Sequence, residues 1–368
     1  MRPILATASA AAAAAVAAAL VASAAVPASA ADGEPIGGPL LTGAGVIVQS
    51  GAAPLPDIVA ETWLLADATD GTVLAAKGPH ILRPPASTLK TLTALTLLPR
   101  LQPTAIVVGS DRAATTGGAH VGIAPGQRYT VQDLFYGLML PSGNDAAIAL
   151  SEANGGVRRT VREMNAVARA LQANDTVAKT PNGLHRPGQV SSAYDLALIA
   201  RAGLARPDFA RIVRTKTYEF PSKGGGTHTI VNQNRLLMGG YRGTVGVKTG
   251  FTTEAGRTFV GAATRKGHTL IFVGMGITEH SAAAAAKALT WGFKNLGRIT
   301  PIGTLVAPAT APAAAASSEA RSQTAAPIDL ASAGLAVPSR GDPMAPWWFW
   351  VLVITAVVIV FVLWRAYR

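Results

Sequence analysis

Arg83-Pro84-Pro85-Ala86-Ser87-Thr88-Leu89-Lys90-Thr91-Leu92-Thr93-Ala94-Leu95 joins a double proline to an apolar run at helical spacing. The prolines end whatever precedes them. A small polar residue then opens a helix that the pattern carries to about Leu98. Ser87 stands at its start and Lys90 one turn on, so the two side chains share a face. A hydroxyl at a helix start meets unpaired backbone N–H groups and the positive end of the dipole. An amine one turn away can take its proton, as an activated serine nucleophile requires. Alone, the pair reads as an N-cap beside a solvated lysine, because Ser-x-x-Lys arises readily by chance. It is the only Ser-x-x-Lys in the chain, so segments downstream must decide.

Around it, strands are expected over Glu61–Asp67 and Thr72–Lys77, joined through Asp70-Gly71, a strong hairpin signal. A short strand follows over Ala105–Val108. Helices are expected over Tyr129–Leu140, with Thr130 as N-cap, over Asp145–Ala153, over the amphipathic Val157–Leu171, and over Ala193–Leu204. Strand-like runs then take over: Lys216–Phe220, Thr227–Val231, Thr244–Val247, Arg257–Thr264 and Thr269–Gly274. Lys266-Gly267 makes a tight turn between the last two, and Ser281–Leu296 is a closing helix. Strands at both ends and helices in the middle predict an α+β fold: an antiparallel sheet flanked by helices, with an inserted helical lobe.

Two further segments bear on Ser87. Pro141-Ser142-Gly143-Asn144 interrupts two helices and reads as ordinary turn chemistry. Val247-Lys248-Thr249-Gly250-Phe251-Thr252 follows a strand pattern and reads as a strand end with an exposed lysine. Ser-x-x-Lys, Ser-x-Asn and Lys-Thr-Gly each occur once, in that order. Together they form the motif set of the penicillin-binding proteins and serine β-lactamases. The chain resembles the low-molecular-mass penicillin-binding proteins, specifically the serine D-alanyl-D-alanine carboxypeptidases. Asn182-Gly183-Leu184, Pro187-Gly188 and Asn232-Gln233-Asn234-Arg235-Leu236-Leu237 are similar to that subfamily's text. The resemblance covers about Glu61 to Leu296.

The resemblance implies that Ser87 attacks a peptide carbonyl and becomes acylated. Lys90 serves as base only if neutral, and burial near Lys248 would lower its pKa. Ser142 and Asn144 would relay a proton and hold Lys90 and the substrate amide. Lys248 would supply fixed positive charge for a terminal carboxylate, helped by the hydroxyls of Thr249 and Thr252. The strand edge can pair with an extended peptide. By resemblance the N–H groups of Ser87 and Phe251 form the oxyanion hole, with Gly250 between the threonine and that donor. The family often has His at the position of Phe251, so a role for that histidine does not carry over.

Class A β-lactamases deacylate through a Glu-activated water. No Glu occurs from Asp175 through Asp208, which predicts slow release of a penicilloyl group and makes β-lactam antibiotics inhibitors. The six histidines are scattered without metal-ligand spacing, so no metal is expected, nor any cofactor. Gly-x-Ser-x-Gly is absent, against an α/β-hydrolase triad.

The ends add an address. Residues 1–30 have Arg2, an Ala/Val/Leu run and Ala28-Ser29-Ala30, a signal peptide by pattern. Residues 31–56 read as an extended arm and 57–299 as the catalytic domain. Residues 300–346, rich in Ala and Pro, read as a disordered tether of about 45 residues. It begins where many members of the family carry a β-rich second domain. Trp347–Trp364 is apolar, near the lower limit for spanning a bilayer, and flanked by tryptophans. Arg365–Arg368 would be a cytoplasmic tail, with the catalytic domain outside the cell membrane. Cysteine is absent, and 32 Lys+Arg against 20 Asp+Glu give a net charge of +12. That excess suits anionic envelope material. The scattered basic residues show no aromatic-interleaved stripe, against nucleic acid.

The expected activity is therefore a membrane-anchored serine carboxypeptidase acting on peptidoglycan stem peptides. A transpeptidase or endopeptidase on the same substrates differs only in the acceptor. A non-hydrolytic β-lactam or peptidoglycan sensor would need a cytoplasmic output domain, and the tail after Trp364 is four residues.

Overall fold

The computed structural model describes residues 36–49 and 52–309. The signal peptide, most of the tether, the membrane span and the tail expected from the sequence lie outside the described residues. Among those described, no helix is long and apolar enough to cross a membrane.

The core is an antiparallel sheet of seven strands built from both ends of the domain. Its N-terminal strands are β1 (Val46–Ile47), β2 (Ala60–Asp67) and β3 (Thr72–Lys77). Its C-terminal strands are β8 (Thr244–Thr252), β9 (Gly256–Arg265), β10 (His268–Ile277) and β11 (Gly303–Thr304). The order is β1-β3-β2-β10-β9-β8, with β11 also on β3, so β8 is an edge. Lys266 and Gly267 both have positive φ, 50° and 82°, and close the β9–β10 hairpin in the left-handed conformation such turns demand.

Both faces of the sheet are covered, which explains why its strands are nearly all apolar. Side chains alternate between the layers. Trp63, Leu65, Leu270 and Phe272 face one helix, α9 (Ser281–Asn295), with Leu289 and Trp291. Leu64, Ala66, Ile271 and Val273 face the helical lobe. Fully burying each leucine, isoleucine, valine or phenylalanine among them contributes about 1.5–3 kcal/mol.

The lobe holds α1 (Lys90–Leu97), α2 (Asp111–Ala114), α3 (Val131–Met139), α4 (Asn144–Ala153), α5 (Val157–Ala170), α6 (Ala193–Leu204) and α7 (Pro207–Arg214). Two small ribbons accompany it: β4 (Ile106–Val108) with β5 (Arg128–Thr130), and β6 (Thr217–Pro221) with β7 (Thr227–Val231). A short helix, α8 (Arg235–Met238), leads into β8. Thr130 caps α3 as expected, in a capping box with Asp133.

Three expectations need correction. The strand of Thr244–Val247 does not stop before Lys-Thr-Gly but runs through it to Thr252. Pairing with β9 continues to Thr252↔Gly256, so the ladder, and not local propensity, sets its length. The arm is not merely extended: Pro39–Thr42 is a 3-10 turn with Leu41 buried, and β1 pairs with β3. The folded domain also passes residue 299. Ile302 and Leu305 are buried, and β11 adds to β3 beside β1.

Candidate active site

Ser87 sits in a 3-10 turn, Ala86–Leu89, that runs into α1. Its hydroxyl makes no helix cap. Ala86 has φ 48°, a conformation that L side chains rarely adopt. The turn is pinned from both sides. Thr88 Oγ1 and Thr258 Oγ1 of β9 both donate to the Pro85 carbonyl, at 2.5 and 2.9 Å. Gly250 of β8 lies against it so closely that a Cβ there would stand 2.8 Å from the Ser87 nitrogen. Gly183 backs it on the other side, with φ +80° and space for no Cβ beside the Ala86 carbonyl.

Lys90 is fully buried, and its Nζ has three neighbours within hydrogen-bond distance. These are Ser87 Oγ at 2.9 Å, Asn144 Oδ1 at 2.7 Å and the Asn182 carbonyl at 2.6 Å. The amide and carbonyl oxygens can only accept. They take two amine hydrogens, and a neutral Lys90 then turns its lone pair to the Ser87 hydroxyl. Burial, first, and the charge of Lys248, second, hold the Lys90 pKa well below the ordinary lysine value, against a smaller opposing pull from Asp145.

Asn144 opens α4, and its orientation is fixed from behind: Nδ2 donates to the Gly117 carbonyl at 2.7 Å. Asp145, wholly buried, receives the backbone N–H groups of Val121, Gly122 and Ile123 at 2.8–3.0 Å. The Ser-x-Asn turn and the 117–123 loop are thus one unit. Ser142 is held at φ 68°, 4% exposed, and its hydroxyl has no hydrogen-bond partner among the described residues. A strained backbone carrying an unsatisfied buried hydroxyl marks a functional position.

Ser87, Ser142, Thr249, Gly250 and Phe251 line one cavity of 310 Å³, together with Gln233, Arg257, Thr258 and Ser281. Phe251 stands at its mouth, 66% exposed. Thr252 follows at the end of β8. Lys248 is placed otherwise than the sequence suggested. It is 1% exposed, its Nζ donates to the Thr249 carbonyl at 2.9 Å, and it is not among the cavity's lining residues. Burial lowers its pKa to about 7, so its charge is not fixed near neutrality. The lining residue with a permanent charge is Arg257, exposed on β9 and opposite Phe251 in register. Among the described residues no cluster of His, Cys, Asp or Glu could hold a metal.

Sequence reasoning brought Ser87, Lys90, Ser142, Asn144, Thr249, Gly250 and Phe251 to one place. It missed the Asn182 carbonyl, Thr258 and Arg257. Asn182 lay in a segment already singled out, but a carbonyl contact leaves no residue signature. Arg257 could have been found by pairing the Lys-Thr-Gly strand with the next one across a short turn.

The family model for D-alanyl-D-alanine carboxypeptidase (peptidase S11) matches residues 48–279. The chain is 43% identical to the D-alanyl-D-alanine carboxypeptidase DacB2 of Mycobacterium tuberculosis over 255 residues, 67% of this chain and 87% of that relative. It is 37% identical to DacD of Escherichia coli, where the match covers 65% of this chain and 64% of that longer relative. Among solved structures, an evolved penicillin-binding protein homologue from M. tuberculosis matches with a TM-score of 0.67 and 41% identity, over 70% of this chain and 100% of that one. A Streptomyces DD-transpeptidase matches with a TM-score of 0.62 and 31% identity, over 66% of this chain and 100% of that one. The match to the family runs through every motif of the Ser87 site, and the chain belongs to the serine-type D-alanyl-D-alanine carboxypeptidases, on the fold of the penicillin-binding proteins.

Proposed function

We propose that this protein is a membrane-anchored carboxypeptidase that removes the terminal D-alanine from peptidoglycan stem peptides through an acyl-enzyme on Ser87, and that β-lactams trap it covalently there. The contacts of Lys90 Nζ carry this reading, because two acceptor-only oxygens leave its lone pair for the Ser87 proton.

As Ser87 Oγ bonds to the carbonyl carbon of the penultimate D-alanine, its proton passes to Lys90 Nζ. The N–H groups of Ser87 and Phe251 hold the developing oxyanion. The C–N bond then breaks, and the proton passes from Lys90, by way of the Ser142 hydroxyl, to the departing amine of D-alanine. Water hydrolyses the resulting ester. Arg257 and the Thr249 hydroxyl take the terminal carboxylate, with Lys248 raising the local potential when protonated. A β-lactam opens its ring on the same serine. Without a Glu between Asp175 and Asp208 the penicilloyl ester is released slowly.

The leader-like residues 1–30 and the apolar residues 347–364 support export and anchoring in cytoplasmic membrane lipid. The match to a Streptomyces DD-transpeptidase favours one second reading, in which an amine replaces water as acceptor.

The test incubates the full-length chain in detergent with a pentapeptide ending in D-Ala-D-Ala. Free D-alanine with no dimer is expected. A cross-linked dimer on adding an amine acceptor would instead favour transpeptidation. Covalent penicillin labelling of Ser87 without D-alanine release would leave only a sensor. Protease added outside intact cells should free the catalytic domain, and full protection would contradict the anchored topology.

A further inference from the structure

A second cleft, of 580 Å³, opens beside the catalytic one. Its walls are the two segments that hold the catalytic groups. One wall is Lys179–Pro187, which presents the Asn182 carbonyl to Lys90. The other carries Arg112 and Thr116 and leads directly into Gly117, whose carbonyl fixes Asn144. The floor is apolar, from Ile148 and Val157.

Three cations line this cleft: Arg112, Lys179 and Arg186, all exposed. Among the described residues none of them forms a salt bridge or a side-chain hydrogen bond, whereas Arg83, Arg100, Arg159, Arg206 and Lys287 all pair with carboxylates. The wall that bears Lys179 and Arg186 is stiffened from within. Gln189 Oε1 receives the Lys179 and Thr180 N–H groups and the Thr180 hydroxyl, at 2.8–3.1 Å, and its Nε2 donates to the Leu184 carbonyl at 2.8 Å. Lys179 and Arg186 are therefore carried on a fixed frame.

We propose that this cleft binds the carboxylate-bearing residues of the stem peptide that lie upstream of the scissile bond, and that it sets a preference for free carboxylates over their amides. The inference rests on the carboxypeptidase reading of the Ser87 site. The 310 Å³ catalytic cavity holds the chain's terminal residues, and the rest of the stem must leave it. The segment after α2 runs from the cleft, which Thr116 lines, to the cavity, which Ala119 lines, and the Asn182 of the cleft wall holds Lys90, so an upstream carboxylate leaving the cavity meets three cations with no competing partner. Exposed ion pairs are each worth little, but several converging on one ligand give a preference on the order of tenfold, weakened by salt.

The experiment measures kcat and KM for D-alanine release by the full-length protein in detergent, at low and high salt. It uses two pentapeptides identical except that the upstream carboxylates are free in one and amidated in the other. The free-carboxylate peptide should show a KM about tenfold lower at low salt, with similar kcat. The difference should shrink with added salt. In the triple variant Arg112→Gln, Lys179→Gln, Arg186→Gln the ratio of the two KM values should fall to about one. Lys179→Gln alone should reduce it in part. Equal KM values in the wild-type protein, or an unchanged ratio in the triple variant, would overturn the cleft and leave the carboxypeptidase standing. Release from neither peptide would overturn both.

Discussion

The Asn182 backbone carbonyl lies 2.6 Å from Lys90 Nζ, closer than Ser87 Oγ at 2.9 Å. With Asn144 Oδ1 it leaves the amine one direction free, toward the serine. The position therefore requires a group that can lose its proton and still donate two hydrogen bonds. Lys90→Arg keeps the positive charge but never deprotonates. It should lower the rate of penicillin acylation at Ser87 by 10²-fold or more, read by mass spectrometry of the labelled protein. Lys90→Gln should behave the same way.

Ser142 combines a φ of 68° with a buried, unpaired hydroxyl. Ser142→Gly removes both costs, and should stabilise the protein by about 1 kcal/mol in urea unfolding. The same change removes the proton relay, so D-alanine release should fall on the order of 10²-fold. Stability and activity moving in opposite directions would separate a catalytic strain from a structural one.

Arg257 lines the cavity, while Lys248 is buried and does not. Arg257→Gln should raise KM for a peptide ending in free D-alanine about tenfold or more, with a smaller effect on kcat. Against a peptide whose terminal carboxylate is amidated, the variant and the wild type should differ little. Equal losses on both peptides would mean that Arg257 acts on something other than that carboxylate.

Asp195 lies in the first turn of α6 and is buried, which raises its pKa to about 7 from 3.8. Thr176 Oγ1 donates to it at 2.7 Å, and Asp175 and His80 act on it with opposite signs. Between about pH 4 and 7 the folded state binds the extra proton, so this group's contribution to stability falls as pH rises through that window and stays lost above it. Asp195→Asn should therefore raise the melting temperature at about pH 8, by a stability on the order of 3 kcal/mol, and change it little near pH 4.

What the sequence could not show has physical causes. Nearly continuous apolar runs at both ends of the domain, and apolar-periodic helices between them, are written in side chains, and the sheet and lobe follow. Ser87, Ser142 and the Lys-Thr-Gly strand are legible because chemistry needs those residue types. The Asn182 contact uses a carbonyl that any residue supplies. The reach of β8 to Thr252 comes from pairing with β9, and the seat of Ile302 against β3 from tertiary contact. Lys248 looked exposed because lysine usually is. Its burial in the sheet depends on what packs over it, and that has no local signature.

The most direct test of the central claim follows the rate of Ser87 acylation by a fluorescent penicillin across the alkaline range. A lysine of ordinary pKa would make the rate climb tenfold per pH unit between about pH 7 and 10. With the Lys90 pKa held well below the ordinary lysine value by burial, the rate should instead level off well before about pH 10, and in Lys90→Arg it should stay 10²-fold or more lower at every pH. A tenfold climb per unit would show that Lys90 carries its proton at neutrality and would contradict the account of the site.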